Sequence, residues 1–319
     1  MNILICSVGR RVKLIEFFKE ELNKVGGKVI AVDCDSTAPA LHFADAYEIV
    51  PRITHPEYIQ QLIYLCKEYQ VSAVLSLIDP ELSLLANYKK EFEKEGVKVI
   101  VSDKEVVDIC FDKFLTAHFL NENGIPSIPT YLEIDEVIQD LENDKIQFPL
   151  IVKPKNGSAS LGIHKVSSLE ELRVLQREFN GLIVQPFIEG EEFGVDCYID
   201  LISKETSNIF IKKKISMRAG ETDKSVSVID PHLTMIIEKL VTTLEPIGPI
   251  DIDCFRTKKG YVVSEINPRF GGGYLHAHGM GENFVSNIIR NLKGRTNGVR
   301  RNEYKEGTKM IKYDHFQLL

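Results

Sequence analysis

The chain has 319 residues, a formal net charge of −7 and 44% hydrophobic residues, which is the composition of an ordinary soluble protein. A single hydrophobic core rarely organises this length, so we expect two or three domains. The negative charge argues against a general nucleic-acid surface, and no apolar run approaches the roughly 18 residues of a membrane span.

Strand and helix patterns alternate through the first third of the chain. Strand patterns cover 1–6, 29–32, 71–77 and 97–101, and helical patterns cover 12–25, 56–69 and 81–94. This alternation predicts a parallel, doubly wound sheet.

The pattern changes after residue 103. A helix is expected after Asp112, a residue type that caps helices, and Gly124 and Pro126 end it. Further helices are predicted at 135–144, 168–178, 232–245 and 282–292. Strands are predicted at 149–153, 182–186, 192–202 and 208–217, with a hairpin at 249–267 and a polar tail at 296–319. The long strands favour a mostly antiparallel sheet.

Short basic runs and scattered cysteines carry no functional signal. Lys212-Lys213-Lys214 and Arg300-Arg301 are too short to bind nucleic acid and are interpreted as solvated charge. The six cysteines lack metal-ligand spacing and are interpreted as reduced core residues. The N-terminal apolar stretch is too short for a signal peptide, so we expect a cytoplasmic protein without a membrane partner.

A turn after the first strand lies where α/β sheets bind ligands. The segment Ser7-Val8-Gly9-Arg10-Arg11 lacks the G-x-G-x-x-G of a dinucleotide site. It is either a solvated tight turn or an anion site that combines the helix N-terminus with Arg10 or Arg11. Asp79 and Glu81 follow another strand at the same sheet edge, so they and Arg10 are candidate substrate residues.

A second loop follows Lys153, at the end of an apolar strand. Gly157 and Gly162 have the glycine spacing of a P-loop, but the Lys and Ser/Thr that this motif needs are missing. The amides of the small residues between them, Ser158 and Ser160 included, could close over phosphates. The alternative is a mobile surface loop.

The hairpin contains the most specific motif. Strand alternation places Asp251 and Asp253 on one face, and Glu265 and Asn267 on one face of the return strand. A three-residue loop closed by Gly260 sets Asp253 almost opposite Glu265. Opposed like charges are destabilising, and a divalent cation between them reverses that effect. Three oxygen ligands suit Mg²⁺; the alternative is a pair of solvated carboxylates.

Together and in this order, these segments resemble the ATP-grasp superfamily, which includes biotin carboxylase, D-alanine:D-alanine ligase and each half of the carbamoyl-phosphate synthase large subunit. The resemblance runs from residue 1 to about 294. It implies an α/β and α+β multidomain fold. Its expected parts are a Rossmann-like pre-ATP-grasp domain at 1–102, linker helices and a small lid subdomain at 103–180, and a C-terminal ATP-grasp subdomain at 181–319.

The resemblance also implies roles for residues at matching positions. The residues expected to bind ATP are Lys113, Lys153, Ser158, Ser160, Gly162, Gln185, Phe187, Ile188 and Glu192. Asp253, Glu265 and Asn267 are the expected ligands of Mg²⁺, or of Mn²⁺ in its place. Lys153 and Arg269 are expected to act in phosphoryl transfer.

The substrate residues are less defined. Arg218 ends a long strand and could hold a carboxylate bidentately. The backbone of Gly272, in a run of three glycines, could approach a ligand closely. His276 and His278 could contact the substrate, but lone histidines are more often structural residues.

The resemblance implies an ADP-forming ligase that phosphorylates a small carboxylate and passes the acyl phosphate to an amine. Within the family, the N-terminal residues look most like stand-alone ligases related to carbamoyl-phosphate synthase. Three alternatives stay open: an enzyme or fragment that phosphorylates bicarbonate or carbamate, a small-molecule kinase, and a non-catalytic nucleotide-binding subunit. The length fits one ATP-grasp unit and not a complete two-unit synthase. The expected partners are the two small substrates and a second copy in a homodimer.

Overall fold

The computed structural model describes residues 1–157 and 162–318. The strands are β1 Asn2–Cys6, β2 Lys28–Asp33, β3 Ala46–Ile49, β4 Val71–Ser76, β5 Lys98–Val99, β6 Leu150–Pro154, β7 His164–Val166, β8 Leu182–Pro186, β9 Glu191–Ile199, β10 Thr206–Arg218, β11 Glu221–Val228, β12 Gly248–Thr257, β13 Gly260–Asn267 and β14 Lys309–Ile311. The α-helices are α1 Val12–Asn23, α2 Tyr58–Glu68, α3 Asp79–Asn87, α4 Lys89–Lys94, α5 Lys104–Phe111, α6 Lys113–Glu122, α7 Ile134–Glu142, α8 Leu169–Glu178, α9 Pro231–Leu244, α10 Tyr274–Gly279 and α11 Phe284–Leu292. A short 3₁₀ helix covers Pro39–Phe43.

The first hundred residues form the parallel sheet that the sequence predicts. Its strand order is β3-β2-β1-β4-β5, and every pair is parallel. Successive residues of β1 point to opposite faces of the sheet, and each face has its own core. Ile5 packs with α1 on one face, and Leu4 packs with α2 on the other. This alternation explains why the strands read as continuous apolar runs. The short, half-buried β3 was not predicted, and the predicted helix over 81–94 is two helices that meet at Tyr88.

A six-stranded antiparallel sheet forms the second large layer, in the order β13-β12-β9-β10-β11-β14. One face is apolar and packs against α9, through residues such as Val195, Ile252 and Ile237. The other face is mixed. Tyr198 and Phe210 join the core that also contains Ile5, so the N-terminal sheet and the large sheet share apolar packing. The overall class is therefore the α/β and α+β combination that the sequence predicts.

A small antiparallel sheet, in the order β7-β6-β8, carries α7 and α8 on its own core. The sequence division assigned 182–186 to the C-terminal part, but β8 pairs with β6 along its whole length. The chain leaves the small sheet at Pro186 and enters the large sheet at Glu191. The change of sheet thus occurs after residue 186 and not at 180.

The interpretation of the basic runs is wrong for most of their members. β10 alternates, so it buries the side chains of Lys212 and Lys214 and leaves Lys213 half-exposed. Lys212 forms an ion pair with Asp196. Arg301 donates to the carbonyl oxygens of Thr206 and Ser207 and binds part of the C-terminal tail to the large sheet. These residues stabilise the large sheet, because the two basic runs lie within its strands or pack against them.

The tail and the cysteines also differ from the expectations. β14 lies within the tail and pairs with β11, opposite the buried Ser225. Five cysteines are buried, whereas Cys34 is exposed, and all six are free thiols. Among the described residues, none of the helices has the length and apolar character needed to cross a membrane.

A buried carboxylate anchors the segment after α11. Asp200 Oδ1 accepts from the amides of Ile202 and Ser203, at 2.8 and 2.9 Å. Its Oδ2 accepts from Asn291 Nδ2 at 2.7 Å and from the amide and side chain of Asn297 at 2.7 and 2.8 Å. Burial opposes the charged form, but these donors outweigh it and lower the pKa of Asp200 to about 2.

We expect Asp200→Asn to lower the free energy of unfolding at pH 7 by about 2 kcal/mol, because either amide orientation turns an NH₂ group towards donors. A carboxyl group whose pKa is lowered by folding stabilises the fold at pH values above its unfolded-state pKa. This stabilisation is lost as the pH falls towards the folded-state pKa. Wild type should therefore lose about 2 kcal/mol more than the variant between pH 4 and pH 2. Urea titrations at both pH values measure this, with exposed Asp144→Asn as the control. Parallel pH profiles for wild type and Asp200→Asn would contradict it.

Candidate functional site

A cavity of about 330 Å³ lies between the small sheet and the charged end of the large sheet, and it reaches the first domain at Arg11. Many of the residues predicted from the sequence line it. They are Lys113, Lys153, Gln185, Phe187, Ile188, Glu192, Asp253, Glu265, Asn267, Arg269 and Gly272. Residues separated by more than 150 positions in the chain therefore share one cavity.

One end of the cavity is mainly apolar. Ile128 and Ile151 line it together with Phe187 and Ile188, which follow β8. Gln185 is buried here, and its Nε2 donates to Thr130 Oγ1 at 2.8 Å. That bond leaves the side-chain oxygen of Gln185 as an acceptor. Apolar lining residues together with such an acceptor suit a heterocycle that carries an amino group.

Two lysines flank the middle of the cavity. Lys113 begins α6, and its Nζ donates to Gly157 O at 2.6 Å and lies 3.3 Å from Glu265 Oε1. Asp112 caps the same helix by accepting from the amides of Phe114 and Leu115, which fixes the direction in which Lys113 leaves the helix. Burial lowers the pKa of Lys153, against the attraction of Glu265.

The hairpin β12–β13 brings the acidic residues together. Asp253 pairs with Glu265 and Asp251 pairs with Asn267. The predicted three-residue loop is wrong, since Thr257 pairs with Gly260 across a two-residue turn. The register shifts by one residue between Asp253 and Cys254, which restores the predicted opposition of Asp253 and Glu265.

The extra residue in this bulge is Ser264, and its hydroxyl donates to Asp253 O at 3.1 Å. The sequence therefore identified the facing carboxylates, although the turn that produces them differs from the expected one.

Lys214 is the main residue that sequence reasoning missed. Its Nζ lies 2.6 Å from Glu192 Oε1 and 2.7 Å from Asp253 Oδ1, and its side chain is only 5% exposed. Burial lowers the pKa of Lys214, but Asp253 and Glu192 outweigh it, so the pKa is raised overall and the ammonium group stays charged. The sequence could have indicated this, because side-chain alternation in β10 places Lys212 and Lys214 on one face of the strand.

The predicted Mg²⁺ ligands fit a cation of that type. Asp253, Glu265 and Asn267 all line the cavity, and Asn267 is buried. In the part of the chain that the structure describes, no group of three or more His, Cys, Asp or Glu side chains has metal-binding geometry. The third donor here is an amide oxygen. Two carboxylates and an amide suit a cation that keeps water and phosphate in its other positions.

Asp79 does not line the cavity, contrary to its prediction as a substrate residue. Its Oδ2 accepts from Arg269 Nη2 at 2.7 Å, and both side chains are largely buried. Arg269 Nη1 also donates to Phe270 O at 3.0 Å. Burial lowers the pKa of Arg269, but Asp79 outweighs it and the pKa is raised overall. Asp79, from the first domain, thus orients an arginine of the large sheet.

Three other substrate candidates, Glu81, Arg10 and Arg218, also do not line the cavity. Glu81 is fully buried and accepts hydrogen bonds from Ser7, Ser76 and Tyr58, and burial raises its pKa. Arg10 is exposed and donates to Ala219 O. Arg218 forms ion pairs with Asp223 and Asp314. Packing and local ion pairs satisfy these groups, and a sequence pattern does not show such partners.

Predicted residues of the second loop are only partly described. Ser158 and Ser160 lie outside the described residues. Gly162 is exposed, has a φ of +69° and packs close to Pro154. Pro154 lines the cavity, whereas Gly162 does not. The roles assigned to these three residues stay predictions.

The far end of the cavity has three further charged residues: Arg11, Glu221 and Asp251. Arg11 Nε lies 3.4 Å from Glu221 Oε1. Burial raises the pKa of Glu221, but Arg11 and Lys312 outweigh it, so the pKa is lowered and the carboxylate stays ionised. The sequence indicated Arg11 only as a candidate residue of an anion site. It did not indicate that Glu221 and Asp251 line the same cavity as Arg11.

The glycine run packs against these charges. A Cβ at Gly272 would lie 2.7 Å from Glu221 Cγ, and one at Gly271 would collide with the carboxyl group of Asp251. Gly272 lines the cavity, and its role as a substrate residue stays a prediction. The glycines are needed here because charged side chains approach their backbone closely.

We expect Lys214→Ala to lower the free energy of unfolding by about 3 kcal/mol, because it leaves Glu192 and Asp253 buried without their shared cation. Urea unfolding in EDTA measures the loss. Lys213→Ala is the matched control, since its exposed ion pair with Glu191 contributes less than about 1 kcal/mol. Equal losses for the two variants would contradict the assignment of Lys214 as the buried counter-charge.

Two family profiles match the chain. Residues 3–100 match "PylC-like, N-terminal domain". Residues 110–273, just over half of the chain, match "ATP-grasp domain".

Individual relatives agree with these profiles. A carbamoyl-phosphate synthase of Methanobrevibacter smithii is 31% identical over 176 residues, which cover 54% of this chain and 46% of that protein. A D-alanine–D-alanine ligase of a Marinomonas species is 34% identical over 141 residues, which cover 40% of this chain and 44% of that protein. The chain thus spans less than half the length of these two curated relatives.

Among solved structures, the biotin carboxylase domain of 2-oxoglutarate carboxylase from Hydrogenobacter thermophilus superimposes with a TM-score of 0.77 and 14% identity. The match covers 96% of this chain and 73% of that one. That structure is a dimer in complex with MgADP, ADP and bicarbonate. At this identity the likeness shows a shared fold.

Proposed function

Because the chain belongs to the ATP-grasp family, we propose that it is an Mg-ATP-dependent ligase that phosphorylates a small carboxylate and couples the acyl phosphate to an amine. One observation carries this proposal. A single cavity is lined by apolar residues, by the largely buried lysines Lys113, Lys153 and Lys214, and by an opposed pair of carboxylates. These are the parts that phosphoryl transfer requires, since it depends on positioning and on compensation of oxygen charge.

In the proposed complex, the adenine lies at the apolar end of the cavity. Gln185 accepts from the adenine amino group, with Phe187 and Ile188 beside the ring. Glu192, next to this end, binds the ribose. The phosphates extend towards Lys113 and Lys153, together with the backbone of the second loop. The presence of all these residues in one cavity lining supports this placement.

Asp253, Glu265 and Asn267 would hold Mg²⁺, and their oxygens also suit Mn²⁺. The bound cation supplies neutralisation of the β- and γ-phosphate charge. Lys113 and Lys214 already lie beside the same carboxylates. Their ammonium groups place positive charge beside the acidic cluster.

The chemistry has two steps. A carboxylate oxygen of the substrate attacks the γ-phosphorus, the bond from that phosphorus to the β–γ bridging oxygen breaks, and ADP leaves. The amine then attacks the acyl carbon, orthophosphate leaves and the amine gives up a proton. Arg269, oriented by Asp79, compensates the charge of the transferred group. Burial of these residues limits the access of water to the acyl phosphate.

A second candidate is an enzyme that phosphorylates bicarbonate or carbamate, which the similarity to carbamoyl-phosphate synthase favours. The products distinguish the candidates. With ATP and Mg²⁺, the ligase releases orthophosphate only when an acid and an amine are both present. A bicarbonate enzyme hydrolyses ATP with bicarbonate alone, and a kinase accumulates a phosphorylated product. Mass spectrometry over amino-acid and sugar-acid pairs detects all three.

We also propose that the chain has the three parts expected from its sequence. They are a first domain to residue 102, the helices with the small sheet, and the large sheet. The membership of β8 in the small sheet supports a second boundary after Pro186.

We predict that Glu265→Gln slows ADP formation at least about 100-fold, because an amide cannot replace the charge of the metal-binding carboxylate. Its unfolding temperature should stay close to that of wild type, since Lys113 is its only ion-pair partner in the described chain. A coupled ADP assay measures the rate, with the exposed Glu142→Gln as the control. Near-normal ADP formation would remove Glu265 from the metal site.

Lys153→Ala is expected to weaken ATP binding by about 10- to 100-fold, which corresponds to the loss of one charge-assisted contact with phosphate. Calorimetric titration of the full chain with MgATP gives the affinity. The exposed turn residue Lys258→Ala should bind ATP as wild type does. Unchanged affinity in Lys153→Ala would show that this lysine does not contact the nucleotide.

A further inference from the structure

The far end of the cavity combines charges of both signs that come from distant parts of the chain. Arg11 belongs to the first domain, Glu221 begins β11, and Asp251 lies on β12. Burial lowers the pKa of Arg11, and Arg269, which is expected to contact the transferred phosphoryl group, lowers it further. Asp251 also pairs with Asn267 across the hairpin, so these charged residues adjoin the proposed reaction centre.

The loop that carries Arg11 is held in place. Ser7 Oγ donates to the buried Glu81 at 2.8 Å, and the amide of Gly9 donates to Asp33 Oδ2 at 2.8 Å. In residues 1–157 and 162–318, the Arg11 guanidinium donates no hydrogen bond, and its one ion-pair contact is to Glu221, at 3.4 Å. Its terminal nitrogens are thus available to a ligand in a preset position.

The C-terminal tail holds the side chain of Glu221 in place from outside the cavity. Lys312 Nζ donates to Glu221 Oε2 at 3.0 Å and to Gly272 O at 2.8 Å. β14 and the bond from the Lys312 amide to Asp223 O, at 2.9 Å, place this lysine. Lys312 does not line the cavity, so we treat it as a positioning residue.

Asp251 adds a second carboxylate. It lines the cavity, and its side chain forms neither an ion pair nor a hydrogen bond with any part of the chain that the structure covers. A ligand with only an anionic group would meet two carboxylates here, and a ligand with only a cationic group would meet Arg11. A ligand with one charge of each sign, close together, satisfies both.

We propose that this end of the cavity binds the zwitterionic head of an α-amino acid, with its carboxylate on Arg11 and its ammonium group between Glu221 and Asp251. The inference rests on the proposed ligase function and specifies one of its two substrates. An α-amino acid carries its two charges on neighbouring groups of one carbon, which matches the adjacent Arg11 and Glu221.

Calorimetry on the full chain saturated with MgADP tests the proposal. The probes are the 20 standard L-amino acids and D-alanine, followed by the carboxamide and the N-acetyl derivative of each one that binds. We expect at least one amino acid to bind, and both of its derivatives to bind at least 30-fold more weakly. Equal binding of either derivative would overturn the proposal, because one of the two charges would then be unnecessary.

Failure of every amino acid to bind would also overturn it. The ligase proposal is judged separately in that case, by ATP-dependent orthophosphate release with bicarbonate, acetate or succinate and an amine such as ammonium. Turnover with those acids would preserve the ligase and remove the amino-acid site.

Variants assign the contacts. Arg11→Gln and Glu221→Gln should each weaken amino-acid binding at least 10-fold and leave MgADP affinity within twofold, and Arg11→Lys should recover part of the loss. Lys312→Met should have a smaller effect that Lys312→Arg restores. The exposed Arg173→Gln and Glu178→Gln are the matched controls. Wild-type amino-acid affinity in both Arg11→Gln and Glu221→Gln would place the site elsewhere.

Discussion

The opposition of Asp253 and Glu265 across one hairpin is the constraint around which the cavity is arranged. Two carboxylates in a partly buried position repel each other unless cations are held close by. The fold supplies Lys214 from β10 and Lys113 from the start of α6. Each lysine comes from a different element, so the acidic hairpin can be accommodated only where the large sheet and the linker helices meet.

Charge pairing also connects the first domain to the site. Asp79 orients Arg269, and Arg11 faces Glu221. The shared apolar core around Ile5 and Phe210 holds the two sheets together, which keeps these charged pairs aligned. The first domain therefore reaches the cavity through two charged contacts, and the loop at its sheet edge, which lacks a dinucleotide motif, places Arg10 and Arg11 at 3.7 and 3.4 Å from Glu221.

Much of the fold was predictable from periodicity. Continuous apolar runs with helices between them indicated the parallel sheet, and long alternating strands indicated the antiparallel one. The misses have local causes. β3, β7 and β14 are short and bury little apolar surface, so they give weak patterns. The longer β11 was also not predicted, because most of its residues are polar. β8 was assigned to the large sheet because its sequence shows that it is a strand but not which strand it pairs with.

What the sequence by itself determined was a set of candidates: strand alternation set Asp253 opposite Glu265, and the order of the motifs gave the resemblance that implied the nucleotide-binding residues. Only the tertiary structure decided the partners of those residues. Lys214 is buried, although it lies in a basic run that was expected to be solvated. Asp79 accepts a hydrogen bond from Arg269 and does not line the cavity, and Arg11 lies next to Glu221. The reason is physical: whether a charge is solvated, paired or free for a ligand depends on which distant groups surround it, and packing alone sets that.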